Sequence, residues 1–202
     1  MKKSSIFLAL GLLSVDFAIK FHILWLEVLK DIVLLTLLPL GYMHFVGIKK
    51  ENVGLKFNSK ESLKYSIGLI ILASPIMVYA STFKSFQLYY PYWDISSIEN
   101  FIFYEGIVLF AIIFNVEFFF RGFLLFSLEK EIGGKMAILL HSILYVFIHL
   151  GKPWPEIPYS FFAGLVFGYL ALKTRSILPS TLTHWIGASI FDILVYYAYL
   201  LP

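Results

Sequence analysis

The chain has no cysteine, which excludes a disulfide, a thiolate nucleophile and a Cys-ligated metal and leaves no signature of the redox compartment. Charge is scarce as well: Asp, Glu, Lys and Arg make up 14% of the 202 residues, against about 25% in a soluble globular domain. A net charge of +3, with the lysines set between apolar runs, does not build a basic face, so no nucleic-acid partner is expected. Internal repeats, low-complexity tracts and long linkers are missing too, and residues 1–202 read as one domain. Nor does a small-x-small cleavage site follow the apolar residues 6–15 behind Lys2 and Lys3. With Asp16 and Lys20 interrupting that run, it reads as a retained first span and not as a signal peptide.

What is present is apolar: 59% of the residues are hydrophobic and 19% aromatic. A helix needs about 20 mainly apolar residues to cross a bilayer, so the chain has room for about seven spans. Runs at 5–26, 32–48, 63–83, 100–126, 135–150, 158–172 and 177–200 supply them; Asp16, Lys20 and His22 weaken the first, and the sixth is short. The expected fold is all-α, a polytopic transmembrane helix bundle surrounded by membrane lipid. Seven crossings from a cytoplasmic N-terminus put Lys2, Lys3, Lys49, Lys50, Lys56, Lys60, Lys64, Arg121, Lys130, Lys135, Lys173 and Arg175 on one side and only Lys30, Lys84 and Lys152 on the other. That bias marks the richer side, including the polar insert 49–64, as cytoplasmic and puts the C-terminus on the opposite side. Tyr89, Tyr90, Tyr92, Trp93, Trp154, Tyr196, Tyr197 and Tyr199 all fall at the outer ends, as an aromatic anchoring belt. Gly164 and Gly168 form a GxxxG pair that lets a neighbouring helix approach closely.

An ionisable side chain at the centre of a span costs about 2.5–3.5 kcal/mol on insertion scales, so each one calls for a partner or a function. Run four holds Glu117 and Arg121, run five His141 and His149, and run seven His184, next to Trp185 and two turns before Asp192. The i, i+4 spacing puts Glu117 and Arg121 on one helical face. Alone, that pair reads as a salt bridge that allows insertion, and each histidine as a polar helix–helix contact. Together, a carboxylate and two histidines on three apolar helices can converge on one polar chamber. A water between Glu117 and His149 would there lose a proton and attack a peptide carbonyl, with His184 donating to the oxyanion and Arg121 holding Glu117. The same Glu117, His149 and His184 could instead ligate a metal, but no H-E-x-x-H helix is present and no cofactor is expected. Counted at 1.5 Å per residue, Glu117 and His184 lie roughly 12–14 Å from the cytoplasmic ends of their spans and His149 about 20 Å, with His141 as the shallower substitute.

These residues resemble the motifs of the CAAX protease and bacteriocin-processing family, also called Abi, which includes the Ras-converting CAAX prenyl proteases. The first motif, E-E-x-x-x-R followed by Gly, corresponds to Val116, Glu117, three phenylalanines, Arg121 and Gly122. The second, F-x-x-x-H, corresponds to Tyr145 and His149. The third, His followed four residues on by Asn, corresponds to His184 and Ala188, with Ile177, Leu178 and Pro179 just ahead. The resemblance covers roughly 100–190 and implies a CAAX-prenyl-protease-like core there, with Glu117, His149 and His184 as catalytic residues supported by Arg121, Tyr145 and His141. Val116 stands where the family has its usual base, Ala188 where it has the oxyanion Asn, and Tyr145 replaces Phe.

The expected activity is therefore intramembrane, glutamate-type hydrolysis of a membrane-associated peptide or protein. Val116 and Ala188 keep open an inactive family member acting as a membrane immunity or binding factor. A third reading is a transport protein relaying protons through its buried Glu and His residues, although no inverted repeat or broken helix supports it.

Overall fold

The computed structural model describes residues 3–21, 23–56, 59–93 and 96–200; Lys2 and His22 lie outside the described residues. Among these there are eight helices and no strand: α1 (Lys3–Ala18), α2 (residues 24–46), α3 (Ser59–Ser81), the single turn α4 (Lys84–Gln87), α5 (Ile98–Ile132), α6 (Gly134–Phe147), α7 (Glu156–Thr174) and α8 (Leu178–Leu200). Local chemistry punctuates them. Ser97 caps α5 by accepting the Asn100 N–H at 3.2 Å. Gly47, at φ 77°, ends α2 in the left-handed region. Pro153 and Pro155 keep α6 from running on into α7.

The seven long helices alternate in direction, as their end contacts show. Ser4 at the start of α1 meets Tyr42 near the end of α2. Arg175, just after α7, pairs bidentately with Glu129 near the end of α5, and Ser66 in α3 donates to the Pro179 carbonyl at the start of α8. At the other end of the bundle Lys30 reaches Asp16 at 2.9 Å, and Lys84 lies over the Tyr199 ring. Lys49, Lys50, Lys56, Lys130, Lys173 and Arg175 thus gather at one end, and Tyr89, Tyr90, Tyr92, Tyr196 and Tyr199 at the other.

A lipid environment follows from what the fold leaves uncovered. Phe45, Leu72, Phe7, Tyr79 and Ile71 are each more than three-fifths exposed, and only 6% of the apolar window of α3 is buried against the rest of the protein. Water would make such surfaces a liability, whereas acyl chains accept them. Among the described residues three helices, Lys60–Ser81, Ile98–Ile132 and Glu156–Thr174, are long and apolar enough to cross a membrane.

α5 is the central element. Its segment Phe118–Leu124 is a π-helical stretch in which every residue is buried, and Phe118, Phe119, Phe120, Phe123 and Leu124 are completely so. π-Turns recur at functional sites because they re-aim the side chains around them. The buried hydroxyl of Thr36, in a π-turn of α2, donates to Asn115 Oδ1 at 2.6 Å and ties α2 to α5. The polar insert folds back onto this helix: Val53 is fully buried, its carbonyl oxygen sits 2.9 Å from where a Cβ at Gly122 would lie, and the Ile177 N–H donates to Gly54 O.

Four details differ from the sequence reading. The first run, 5–26, is broken: α1 stops at Ala18 and α2 begins at Leu24, because Asp16, Lys20, Glu27, Lys30 and Asp31 collect in one ion-pair cluster at the turn between them. The fourth run continues past residue 126 to Ile132, since nothing before Gly133 interrupts it. The sixth run is not short, because Glu156 and Lys173 are part of a helix of 19 residues. Trp93 is not an anchoring residue: it is 7% exposed, and its indole N–H donates to Glu105 Oε1 at 2.9 Å.

Candidate active site

Glu117 closes the regular part of α5 just before the π-stretch and is fully buried. Its Oε1 is held from two sides, by His184 Nδ1 of α8 at 2.8 Å and by Arg121 Nη1 one turn on at 3.3 Å. Arg121 is also fully buried. Its guanidinium lies 3.8 Å from the Tyr145 ring centroid and 5.3 Å from that of Phe167, so one carboxylate and two aromatic faces carry its charge. His184 keeps 26% of its side chain exposed and is the open edge of this cluster. The neighbouring Trp185 fixes it: the indole N–H donates at 2.7 Å to the Glu105 carbonyl, which belongs to the other π-turn of α5.

His149 lies just beyond α6. Its Nδ1 is 3.0 Å from the Tyr145 carbonyl, and its ring packs edge-on to the Tyr145 ring at 4.6 Å. Its Nε2 faces Glu156 Oε1, in the first turn of α7, at 3.7 Å. Glu156 is held in turn by the Tyr90 hydroxyl on Oε2 and the Lys152 ammonium on Oε1, both at 2.8 Å. Burial, with the Glu156 carboxylate beside it, pushes the Tyr90 hydroxyl well above its ordinary range, so it remains a donor. Asp192 of α8 and Glu105 of α5, both buried, face each other nearby.

Of the six residues singled out in the sequence, five form one chain of contacts: His184 to Glu117, Glu117 to Arg121, Arg121 to the Tyr145 ring, and Tyr145 to His149. His149 has Tyr145 and Glu156 as polar partners, and Glu117 has His184, Arg121 and the Ser180 hydroxyl. His141 lies to one side of this succession, within electrostatic reach of Arg121 and Glu117. It is fully buried, with Nδ1 at 3.0 Å from the Ile138 carbonyl, and a Cβ at Gly168 would come within 2.6 Å of its Cε1. The GxxxG pair is thus the seat of α6 on α7, with Gly164 against Ser142 and Gly168 against His141. Val116 points elsewhere than Glu117 and packs on the hydrophobic core. Among the described residues, no three His, Cys, Asp or Glu side chains are grouped to hold a metal ion.

Sequence reasoning passed over Glu105 and Glu156 and read Tyr90 only as a residue of the anchoring belt. Glu105 was visible as a lone carboxylate inside an apolar run, whereas Glu156 sits in a Pro-Trp-Pro-Glu stretch that reads as a connection. Only the start of α7 at Glu156 brings it to His149.

The model of the Rce1-like family, type II CAAX prenyl endopeptidases, matches residues 97–190, from the cap of α5 into α8. No curated protein and no solved structure matches the chain. The matched segment contains the whole Glu117–Arg121–Tyr145–His149–His184 succession, and over residues 97–190 the chain is similar to the Rce1-like family, the type II CAAX prenyl endopeptidases.

Proposed function

We propose that this chain is an intramembrane endopeptidase that hydrolyses a peptide bond of a membrane-associated substrate. A carboxylate working with His149 activates water, and His184, set by Glu117 and Arg121, stabilises the oxyanion. The observation that carries this reading is the 2.8 Å bond between His184 Nδ1 and Glu117 Oε1. It couples a fully buried carboxylate to a partly exposed imidazole inside the segment matched by the family. With Nδ1–H donating to Glu117, the ring turns Nε2 to the chamber, and once protonated that nitrogen is a second donor able to hold a developing oxyanion. Arg121 keeps the Glu117 carboxylate in place and is itself locked by Tyr145.

The substrate follows from the surroundings: a peptide anchored in or at the bilayer reaches a site enclosed by apolar helices. A prenylated tail is the class that the family's description names, and leader segments of secreted peptides suit the same surroundings. A second reading, a pocket retained for binding without hydrolysis, is favoured by Val116, an apolar side chain partly buried against the core where the family's usual base would stand. The two are separated by incubating purified wild type, Glu117→Ala, His149→Ala and His184→Ala with a quenched membrane-peptide library, with and without a chelator. Chelator-resistant cleavage by wild type that falls at least about 100-fold in all three folded variants is the expected result. A folded wild type that cleaves nothing transfers the assignment to the binding role.

A further inference from the structure

The contact between His149 and Glu156 has the form of a water-binding site. The Tyr145 carbonyl can only accept, so His149 Nδ1, 3.0 Å away, carries a proton, and Nε2 of the neutral ring is a lone-pair acceptor. What faces Nε2 at 3.7 Å is a carboxylate oxygen, Glu156 Oε1, which also accepts. The separation is beyond direct hydrogen bonding, and two facing acceptors are joined by a molecule that has two protons to give. A water about 2.8 Å from both atoms does this, and with both O–H groups engaged its lone pairs remain free for attack.

The carboxylate is set for the task. Tyr90 and Lys152 hold its two oxygens at 2.8 Å each, its backbone stands in the first turn of α7, and His149 is 6% exposed. On α5, by contrast, Glu117 Oε1 is shared between His184 and Arg121, and position 116 is a valine, partly buried against the core, with no group that could take a proton. The Tyr145 ring packs on both His149 and the Arg121 guanidinium and so links this water position to the Arg121–Glu117–His184 cluster.

Resting on the endopeptidase reading above, we propose that Glu156 is the general base, holding the attacking water with His149. The water oxygen bonds to the carbonyl carbon while its proton passes to the Glu156 carboxylate, and the carbonyl electron pair moves onto the oxygen faced by His184. The C–N bond then breaks as that pair returns, and the proton on Glu156 goes to the leaving nitrogen. Atoms and charge balance, and no co-reactant besides water is needed.

The test uses the full-length chain and the same peptide library, with Glu156→Gln, Glu156→Asp and Glu156→Ala beside wild type. Glu156→Gln is expected to lower kcat by about 100- to 10,000-fold with KM within a few-fold and the melting midpoint retained. Added formate should restore activity to Glu156→Ala in a saturable way, which a merely structural carboxylate would not permit. If Glu156→Gln does not fold, Glu156→Asp decides, since it keeps the charge for Tyr90 and Lys152 but withdraws it by one methylene: a folded protein with kcat down at least about tenfold supports the proposal. Cleavage that needs His149 but proceeds at the wild-type rate in Glu156→Gln or Glu156→Asp overturns the role of Glu156 and leaves the endopeptidase reading standing. A folded wild type that cleaves nothing overturns both.

Discussion

Arg121 and Glu117 are both fully buried, and the reason they tolerate burial is mutual. A guanidinium withdrawn from water needs an opposite charge and polarisable faces, and Glu117, Tyr145 and Phe167 supply them. Removing one partner leaves the other charge uncompensated, which typically costs about 3–5 kcal/mol. Arg121→Met should therefore lower the thermal midpoint in detergent sharply, whereas replacing Arg121 and Glu117 together by apolar residues should restore most of it. A double variant as unstable as the single one would contradict a pairwise role. The i, i+4 pairing of Glu117 and Arg121 was legible in the sequence because helix geometry alone dictates it. The partner of His149 was not, because Glu156 comes from a different helix whose first residue no periodicity marks.

At the scale of elements, the closest packing is that of α6 on α7. Gly164 lies against Ser142 and Gly168 against His141, with no room for a Cβ at the second position without moving a fully buried ring. Gly168→Ala should destabilise by about 1–3 kcal/mol through overpacking, and should shift the His141 ring signals in an NMR spectrum of histidine-labelled protein. An unchanged melting curve together with unchanged His141 signals would show that α7 can move away freely. The GxxxG spacing announced a close helix contact, and the structure supplies its partner. His141, which in sequence looks as much a chamber residue as His149 does, is the knob that fills this contact.

For the molecule as a whole, alternating helix directions collect the lysines at one end and the tyrosines at the other. If the richer end is cytoplasmic, as charge bias implies, the two ends must be reached from opposite faces of the membrane. The lack of cysteine provides a clean background for checking this. In Lys130→Cys, at the basic end of α5, an impermeant maleimide should react only when the cytoplasmic face is open. In Leu88→Cys, 74% exposed at the aromatic end, it should react in intact cells. Labelling of both positions from the same face would require a different number of crossings.

Composition and periodicity by themselves determined the helical class, the lipid setting, the Glu117–Arg121 pair and the set of histidines available for chemistry, since each follows from apolar run length or from positions within one helix. Depth along a span even matched Glu117 with His184, two residues on different helices at a similar count from the same end. Tertiary structure alone decided which polar group meets which: His184 with Glu117, His149 with Glu156, Trp93 with Glu105. Those pairings depend on the rotation and mutual placement of whole helices, and in a chain whose surface is apolar on nearly every side a hydrophobic pattern does not specify rotation. Buried polar groups do, because each must find a partner once water is excluded.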